Sequence, residues 1–573
     1  MKKLISMLLV MVLVLSTIFV MVGCKGNDGG TGDGGSGSGD EYVPDKSERE
    51  PDLTKTQLMV SNYNGGYGED WLYVLRDRFE AAYANTSFEE GKMGVELVIH
   101  SDKNGYSSTD LYNKMSIATD EIFFSEYIYY MDYVSAGYVL DITDIVTAVN
   151  SDGKTIQSKI DADYNSFIET DGKYYALPHY ASFAGIAYDI DLFDAKKLYF
   201  AKNGAPSEKG YTGTVEYTNL AGARSAGPDG AYGTDDDGLP ATYDEFFALC
   251  GYMQTRGITP IAWNGQYNTT YIKQFLACLT ADYEGAEQTL LNFTFDGTAT
   301  NLGTISGGKF VEDATDTVLT LENGYEIYRT AGRYYALSFL EQILDGSYYA
   351  DCGFDGGASH SSTQTDYLRS SQKGEPIAML IEGVWWENEA KDTFTMMENR
   401  YGEEYSRANR RLGFMAFPKA TADKIGEGVT LLDANYSMAF INSKIPESKI
   451  YAAKTFLQFC YTDESLQEFT KVTGLPKALN YDMPEGVEFK SVYAEQVWNL
   501  YRNADVVYPV ASNKIFLSGH SAFTLINTFV TATDNSALKA LYDGVSAAKF
   551  FEGIVSLKNG EQWERNYSKY FED

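Results

Sequence analysis

The run TQLMVSNYNGGYGEDWLYVLRDRFEAA, residues 56–82, decides how this chain is read. Thr56 to Asn62 is a short apolar segment of strand length. Asn64-Gly65-Gly66-Tyr67-Gly68 is a glycine-rich turn. Trp71, Leu72, Val74, Leu75, Phe79 and Ala82 then recur at helical spacing. Outward from there, Val95 to His100 reads as a second strand, Leu111 to Ala118 as a helix and Glu121 to Ser125 as a third strand. This rhythm predicts an α/β fold, a mostly parallel sheet with helices on both faces. The turn lacks the GK[ST] ending of a phosphate loop and the spacing of a dinucleotide fingerprint, so it does not read as a nucleotide site.

The alternation continues. Tyr174 to Pro178, Gly185 to Tyr188, Pro260 to Trp263, Pro376 to Ile381, Leu412 to Phe417 and Tyr436 to Ile441 read as strands. Thr242 is placed to cap a helix, with Glu245 three residues on as in a capping box. Ser448 to Tyr461 is a second clear helix, Gly474 and Pro476 break the one after it, and Lys490 to Phe571 reads as largely helical. At 573 residues the chain exceeds what one core holds, roughly 250–300, so two to four folding units are expected.

Charge excludes several classes. Lys plus Arg is 46 and Asp plus Glu is 80, a net charge of −34. A phosphate backbone demands a positive footprint, so nucleic acid is not the partner, and anionic lipid is not held by a basic surface. Only four histidines occur, His100, His179, His360 and His520, far apart in sequence, which argues against histidine-rich metal catalysis. Cys250, Cys278, Cys352 and Cys460 form no CxxC. Either they pair, as an exported protein allows, or each is a small buried hydrophobe, the reading that their apolar helical surroundings favour.

The N-terminus sets the compartment. Lys2 and Lys3 precede an uncharged run from Leu4 to Val22, long enough to span a bilayer. Met21-Val22-Gly23-Cys24 ends it and resembles a bacterial lipobox, with Met in place of the usual Leu. The expectation is a signal peptide over residues 1–24 with Cys24 lipidated. An uncleaved anchor is the alternative, and both place the body outside the cytoplasm. Gly26 to Asp40 holds 8 glycines in 15 residues, so residues 25–55 are expected to be a flexible Gly/Ser/Asp linker.

An ordered series of short segments then carries a resemblance. AGYVLDIT (136–143), KYYALP (173–178), GIAYD (185–189), LPATYDEF (239–246), GITPIA (257–262), EGVWW (382–386), GFMAFP (413–418), AAKTFL (452–457) and TGLP (473–476) follow one another over nearly the whole body. In this series the chain resembles the extracellular solute-binding proteins of bacterial ABC importers, in the carbohydrate group that includes maltose-binding protein. The resemblance implies a two-lobe periplasmic-binding-protein-like α/β fold with crossing hinge strands and a ligand cleft between the lobes. It assigns residues 56–180 with 440–505 to lobe 1, and 181–436 with 506–573 to lobe 2. It also implies a monomer, lipid-tethered on the outer face of the membrane, that passes a sugar to permease subunits and needs no cofactor.

Sugars present apolar C–H faces and a rim of hydroxyls, which aromatic rings and carboxylates or amides recognise. The candidates at strand ends are Tyr63, Asn64, Phe124, Glu126, Tyr127, His179, Tyr180, Trp263, Asn264, Tyr267, Glu382, Trp385, Trp386 and Tyr436. The loop from Gly227 to Gly238 sets Asp229, Asp235, Asp236 and Asp237 among glycines. Hard oxygens on a bent loop suit a structural Ca²⁺, and an acidic solvated turn is the alternative reading. An extracellular hydrolase or a surface adhesin remains the competing function. Paired acids are unavoidable in a chain with 80 of them, and no GxSxG, HExxH or SxxK motif in suitable context supports catalysis.

Overall fold

The computed structural model describes residues 44–47, 49–103, 108–433, 436–508, 529–532, 535–557 and 559–567. Cys24, the apolar run before it and the glycine-rich stretch after it lie outside the described residues. From Pro44 to Lys55 the chain has no regular structure, yet it is not a free linker. Lys46 pairs with Glu69 and Asp70, Arg49 with Glu80 at 2.9 Å, and the Asp52 amide donates to Glu96 at 2.8 Å. Its charges match those of the first helix, which corrects the linker expectation for residues 44–55.

The elements that position the site follow in chain order. The opening run gives β1 (Thr56–Tyr63) and α1 (Asp70–Ala82), with Trp71, Leu72, Leu75 and Phe79 sealed inside. Next come β2 (Val95–Asp102), α2 (Ser108–Lys114), β3 (Ile122–Ser125), β4 (Leu177–Pro178) and β5 (Ala184–Asp189). α3 (Tyr243–Thr255), β6 (Thr259–Ala262), α4 (Asn268–Thr294), α5 (His360–Lys373), β7 (Ile377–Gly383) and β8 (Leu412–Met415) build the middle of the chain. β9 (Thr430–Leu432), β10 (Met438–Ile441), α6 (Glu447–Cys460), α7 (Asp463–Thr473), α8 (Val492–Asn503) and β11 (Asp505–Val507) follow.

Local chemistry explains several boundaries. Thr242 Oγ1 accepts from the Glu245 amide at 3.3 Å and starts α3. The Glu245 carboxylate does not close the reciprocal box. It takes the Ala241 and Ser207 amides instead, each at 2.7 Å, and so ties a preceding loop to the helix start. α7 stops at Gly474, whose φ of +79° is the left-handed cap that glycine adopts freely.

Two sheets result. The first has the order β2-β1-β3-β10-β4, with β2, β1 and β3 parallel and β10 antiparallel to both its neighbours. The second has the order β6-β7-β5-β8, with β6 and β7 parallel and β5 antiparallel to both its neighbours. The sheets are therefore mixed rather than mostly parallel. The reason is topological: β5 and β10 are the strands that enter each sheet from the other lobe, and they enter against the local direction. The chain crosses at residues 179–183 and again at 433–437. β11 pairs in parallel with β9 as a third link, and the tail then packs Phe529, Leu538, Phe551 and Trp563 into the core of lobe 2.

That core also holds a buried ion pair, Lys419 Nζ to both Asp282 oxygens at 3.0 and 3.1 Å. Cys250, Cys278 and Cys460 are buried and unpaired, and Cys352 is free and part-buried, as the small-hydrophobe reading expects.

Candidate functional site

Parallel strands bring their carboxyl ends to one edge, which in open α/β sheets is where ligands bind. In lobe 1 that edge carries Tyr63 to Tyr67 after β1 and Glu126-Tyr127 after β3. In lobe 2 it carries Trp263-Asn264 after β6 and the end of β7 with Val384-Trp385. The two edges face each other across a closed gap. Asn388 Nδ2 donates to Gly66 O at 2.9 Å, Lys103 Nζ meets Glu389 at 2.7 Å, Lys391 Nζ meets Asp70 at 2.8 Å and Arg407 Nη2 donates to Thr473 O at 2.9 Å.

Trp385 is pressed into this seam. A Cβ on Gly66 would lie 2.3 Å from Trp385 Cβ, and one on Gly383 would lie 2.2 Å from the far edge of the indole. Two glycines, one from each lobe, thus make the slot that holds it, and only 8% of the residue remains exposed.

Inside the seam the lobes contribute carboxylates, amides and tyrosines. Glu126 is buried and accepts from the Tyr180 hydroxyl. Burial lifts its carboxyl to about 7, against that hydrogen bond, with Glu389 and Asp433 lifting it further. Tyr63 and Tyr127 stand beside it, and Tyr127 pairs with Gln274 of α4 in the opposite lobe. Glu382 is buried, with Oε1 taking its neighbour's amide, Gly383 N, at 3.1 Å and Oε2 without a hydrogen-bond partner. Burial first, then Glu389, holds its carboxyl well above the usual range, while Tyr271 and Gln364 oppose.

Glu389 behaves differently. Burial raises its carboxyl, but the His360 ring 3.4 Å away, Lys103 at 2.7 Å and the Gln364 amide at 3.0 Å keep it ionised, near about 2. Asn264 spends Oδ1 on the Tyr267 amide at 2.6 Å, and its buried Nδ2 has no partner. Tyr267 is half exposed at the rim and faces Tyr63. Tyr436 sits at the return crossing with φ of +46°, its amide on Asp433 Oδ1 at 3.2 Å and its ring near Tyr129.

Other expected contacts lie elsewhere. Asn64 turns toward the start of α1 and donates to Glu69 at 3.2 Å. Phe124 packs edge-on against Trp71 in the core of lobe 1. Trp263 is sealed in lobe 2, its Nε1 donating to Gly353 O at 3.0 Å beside Tyr349 and Phe354. Trp386 is sealed between Tyr367 and Tyr493. Phe124 points inward by strand parity within β3, whereas Trp386 is turned inward as the first residue of a short helix after β7.

His179 is the fourth residue placed in a core. Fully buried, its Nδ1 lies 2.7 Å from Lys477 Nζ, and among the described residues no carboxylate lies within 4.0 Å of that lysine. The rings of Phe469 and Trp71 sit 4.4 and 4.9 Å from the nitrogen. Burial drags the Lys477 ammonium down to about 7, and burial, then Lys477 itself, pushes His179 well below its ordinary value.

Tyr271, Gln274, Gln364, His360, Glu389 and Lys103 were not among the expected site residues. Tyr271 and Gln274 follow Tyr267 at i+4 and i+7, so the helical period alone could have found them.

The acidic loop spends its carboxylates on its own donors. Asp229 takes the Ala231 amide at 2.7 Å, Asp236 takes Asp229 N at 3.1 Å and the Thr234 hydroxyl at 2.6 Å, and Asp237 takes Gly233 N at 2.9 Å. Asp235 accepts from Asn499 of α8 at 3.1 Å. Among the described residues no group of three or more His, Cys, Asp or Glu is placed to hold a metal ion.

Comparison with known proteins completes the picture. Solved structures share the fold at low identity. A chitin oligosaccharide binding protein gives a TM-score of 0.53 at 16% identity, with 88% of this chain and 98% of that one covered. The GacH receptor of Streptomyces glaucescens, solved unliganded and with acarbose, gives 0.52 at 13%, covering 90% and 99%. A protein described in work on xylan utilisation by Caldanaerobius polysaccharolyticus gives 0.53 at 13%, covering 88% and 100%. No curated protein matches the sequence. The family model described as bacterial extracellular solute-binding protein matches residues 86–494, most of the chain, and with the two-lobe fold and its interlobe seam this identifies the chain as a member of that family.

Proposed function

We propose that this protein is the receptor of a bacterial ABC importer and that its solute is a sugar or oligosaccharide. One observation carries the reading: carboxylates, amides and tyrosines from both lobes converge on a single seam, with Glu126, Tyr63 and Tyr127 on one side and Glu382, Tyr271 and Gln274 on the other. Such a set matches a polyol, whose hydroxyls need directional donors and acceptors and whose ring faces need aromatic cover. A solute that touches both lobes binds the closed form better than the open one and shifts the population toward it. The closed form then docks on a membrane permease and yields the solute unaltered. The chitin oligosaccharide binding protein and the protein from work on xylan utilisation, which share this fold, agree with this reading. The lipobox-like segment supports a tether through Cys24, with the body working as a monomer on the outer face of the membrane.

Isothermal titration calorimetry of the purified body against mono- and oligosaccharides tests the reading, together with chromatography of the recovered sugar. Binding without turnover is expected. Trp385→Ala is expected to weaken that binding at least about tenfold with the fold intact. Turnover of the sugar, or no binding across the panel, would refute it.

A further inference from the structure

The seam has an uneven charge balance. Three carboxylates enter it, Glu126, Glu382 and Glu389. One cation, Lys103, and the His360 ring face them, and both pair with Glu389. Among the described residues neither Glu126 nor Glu382 has a basic partner within 4.0 Å, although both are buried. The groups that face Glu126 are Tyr180, Tyr63, Tyr67 and Tyr127 with Lys103, Glu389 and Asp433. Those that face Glu382 are Tyr271, Gln364, Tyr493 and Glu389. One oxygen of Glu382 and the amide nitrogen of Asn264 are buried with nothing bonded to them. A buried carboxylate without a cation is costly, and a charged guest is one way to supply what the protein leaves out.

We infer that the solute carries basic nitrogen, an aminated sugar with an ammonium received by Glu382, whose Oε2 is unpartnered, while Glu126 offers a second such acceptor on the facing lobe. The inference rests on the proposed receptor function and narrows its substrate class. Burial raises both carboxyls, so each resists ionising in the empty protein. The guest's charge ionises them as it enters. Anionic sugars are excluded by the same arrangement, since they would meet three acids and no unpaired base. A neutral sugar would meet the two acids as hydrogen-bond donors and would lose affinity as they ionise.

The two cases separate by calorimetry on the full folded body. The probes are matched pairs: glucosamine oligomers with free amines against their N-acetylated counterparts, and 2-amino hexoses against the parent hexoses. The aminated member is expected to bind at least about tenfold tighter near pH 7, with the margin shrinking several-fold by about pH 5 as the carboxyls take up protons. Glu382→Gln and Glu126→Gln, each checked for an unchanged melting profile, are expected to cut the amine-over-neutral ratio at least about fivefold. Neutral sugars binding as tightly as the amines at both pH values would overturn the inference and leave the receptor function standing. A ratio untouched by both substitutions would overturn it as well. Failure of every sugar, aminated or neutral, would remove the proposed function together with the inference.

Discussion

Lys477 offers a test of the packing that needs no solute. In the folded protein its ammonium is pulled from the ordinary lysine value of 10.5 to about 7, first by burial. A gap of roughly 3.5 pH units corresponds to about 5 kcal/mol at neutral pH. Between about pH 7 and pH 10.5 the unfolded chain holds a proton on this residue that the folded protein lacks. Stability therefore climbs with pH through that window, by up to ~1.4 kcal/mol per unit, and this contribution is flat below pH 7. Lys477→Met removes the penalty. It also leaves His179 Nδ1 without its donor, at about 1–3 kcal/mol, and forfeits the cation–ring contacts with Phe469 and Trp71, at about 1–2 kcal/mol. The variant should thus match or exceed the parent's stability at pH 7, by on the order of 0–3 kcal/mol, and should fall below it as pH approaches 10. Urea denaturation followed by tryptophan fluorescence at several pH values between about 7 and 9.5 measures it, with Trp71 as the local reporter. Buried tyrosines that titrate above this range act equally on both proteins, so the difference isolates Lys477. A stability difference that stays constant with pH would refute the reasoning, because only a displaced proton equilibrium at Lys477 makes it slope.

Other outcomes follow from the same coordinates. Gly66→Ala places a methyl 2.3 Å from Trp385 Cβ and should prop the lobes apart, lowering solute affinity at least about tenfold with little change in melting of the empty protein; unaltered affinity, with an unaltered radius of gyration under saturating solute, would disprove the fit. Asp282→Asn strips Lys419 of its only ion-pair partner among the described residues and should lower stability by about 3–5 kcal/mol in denaturant titration; a loss under about 1 kcal/mol would mean that the pair is solvated. A calcium chelator should leave the melting temperature unchanged, since the Asp229 to Asp237 carboxylates are bonded to their own loop and to Asn499; a drop restored by added calcium would show them turning to metal.

Much of this architecture could be read from local patterns. The first strand, its glycine turn and α1 follow from apolar spacing over 27 residues, and Thr242 announces α3 through its own oxygen. What stayed hidden is what depends on distant pairing. Lys103 and Glu389 are 286 residues apart, and His179 and Lys477 are 298 apart, so no window of sequence contains either contact. Trp385 and Trp386 show the second limit. They follow β7 in a turn that opens a short helix at Trp386, and which of them faces the gap depends on how that turn meets the other lobe, which composition does not encode. The aromatic positions were therefore found, but their faces were not. Tyr271 and Gln274 have a simpler explanation: they lie on α4, whose start at Asn268 carries no side-chain cap to announce a helix.

The segment from Pro44 to Lys55 has a mechanical consequence. Because Lys46 and Arg49 clasp α1, a load on this segment is delivered to lobe 1 and, through Asp70, which also meets Lys391 of the opposite lobe, to the seam. One carboxylate thus answers to two masters, the strap on its own lobe and the lysine opposite, and strain in the first is felt by the second.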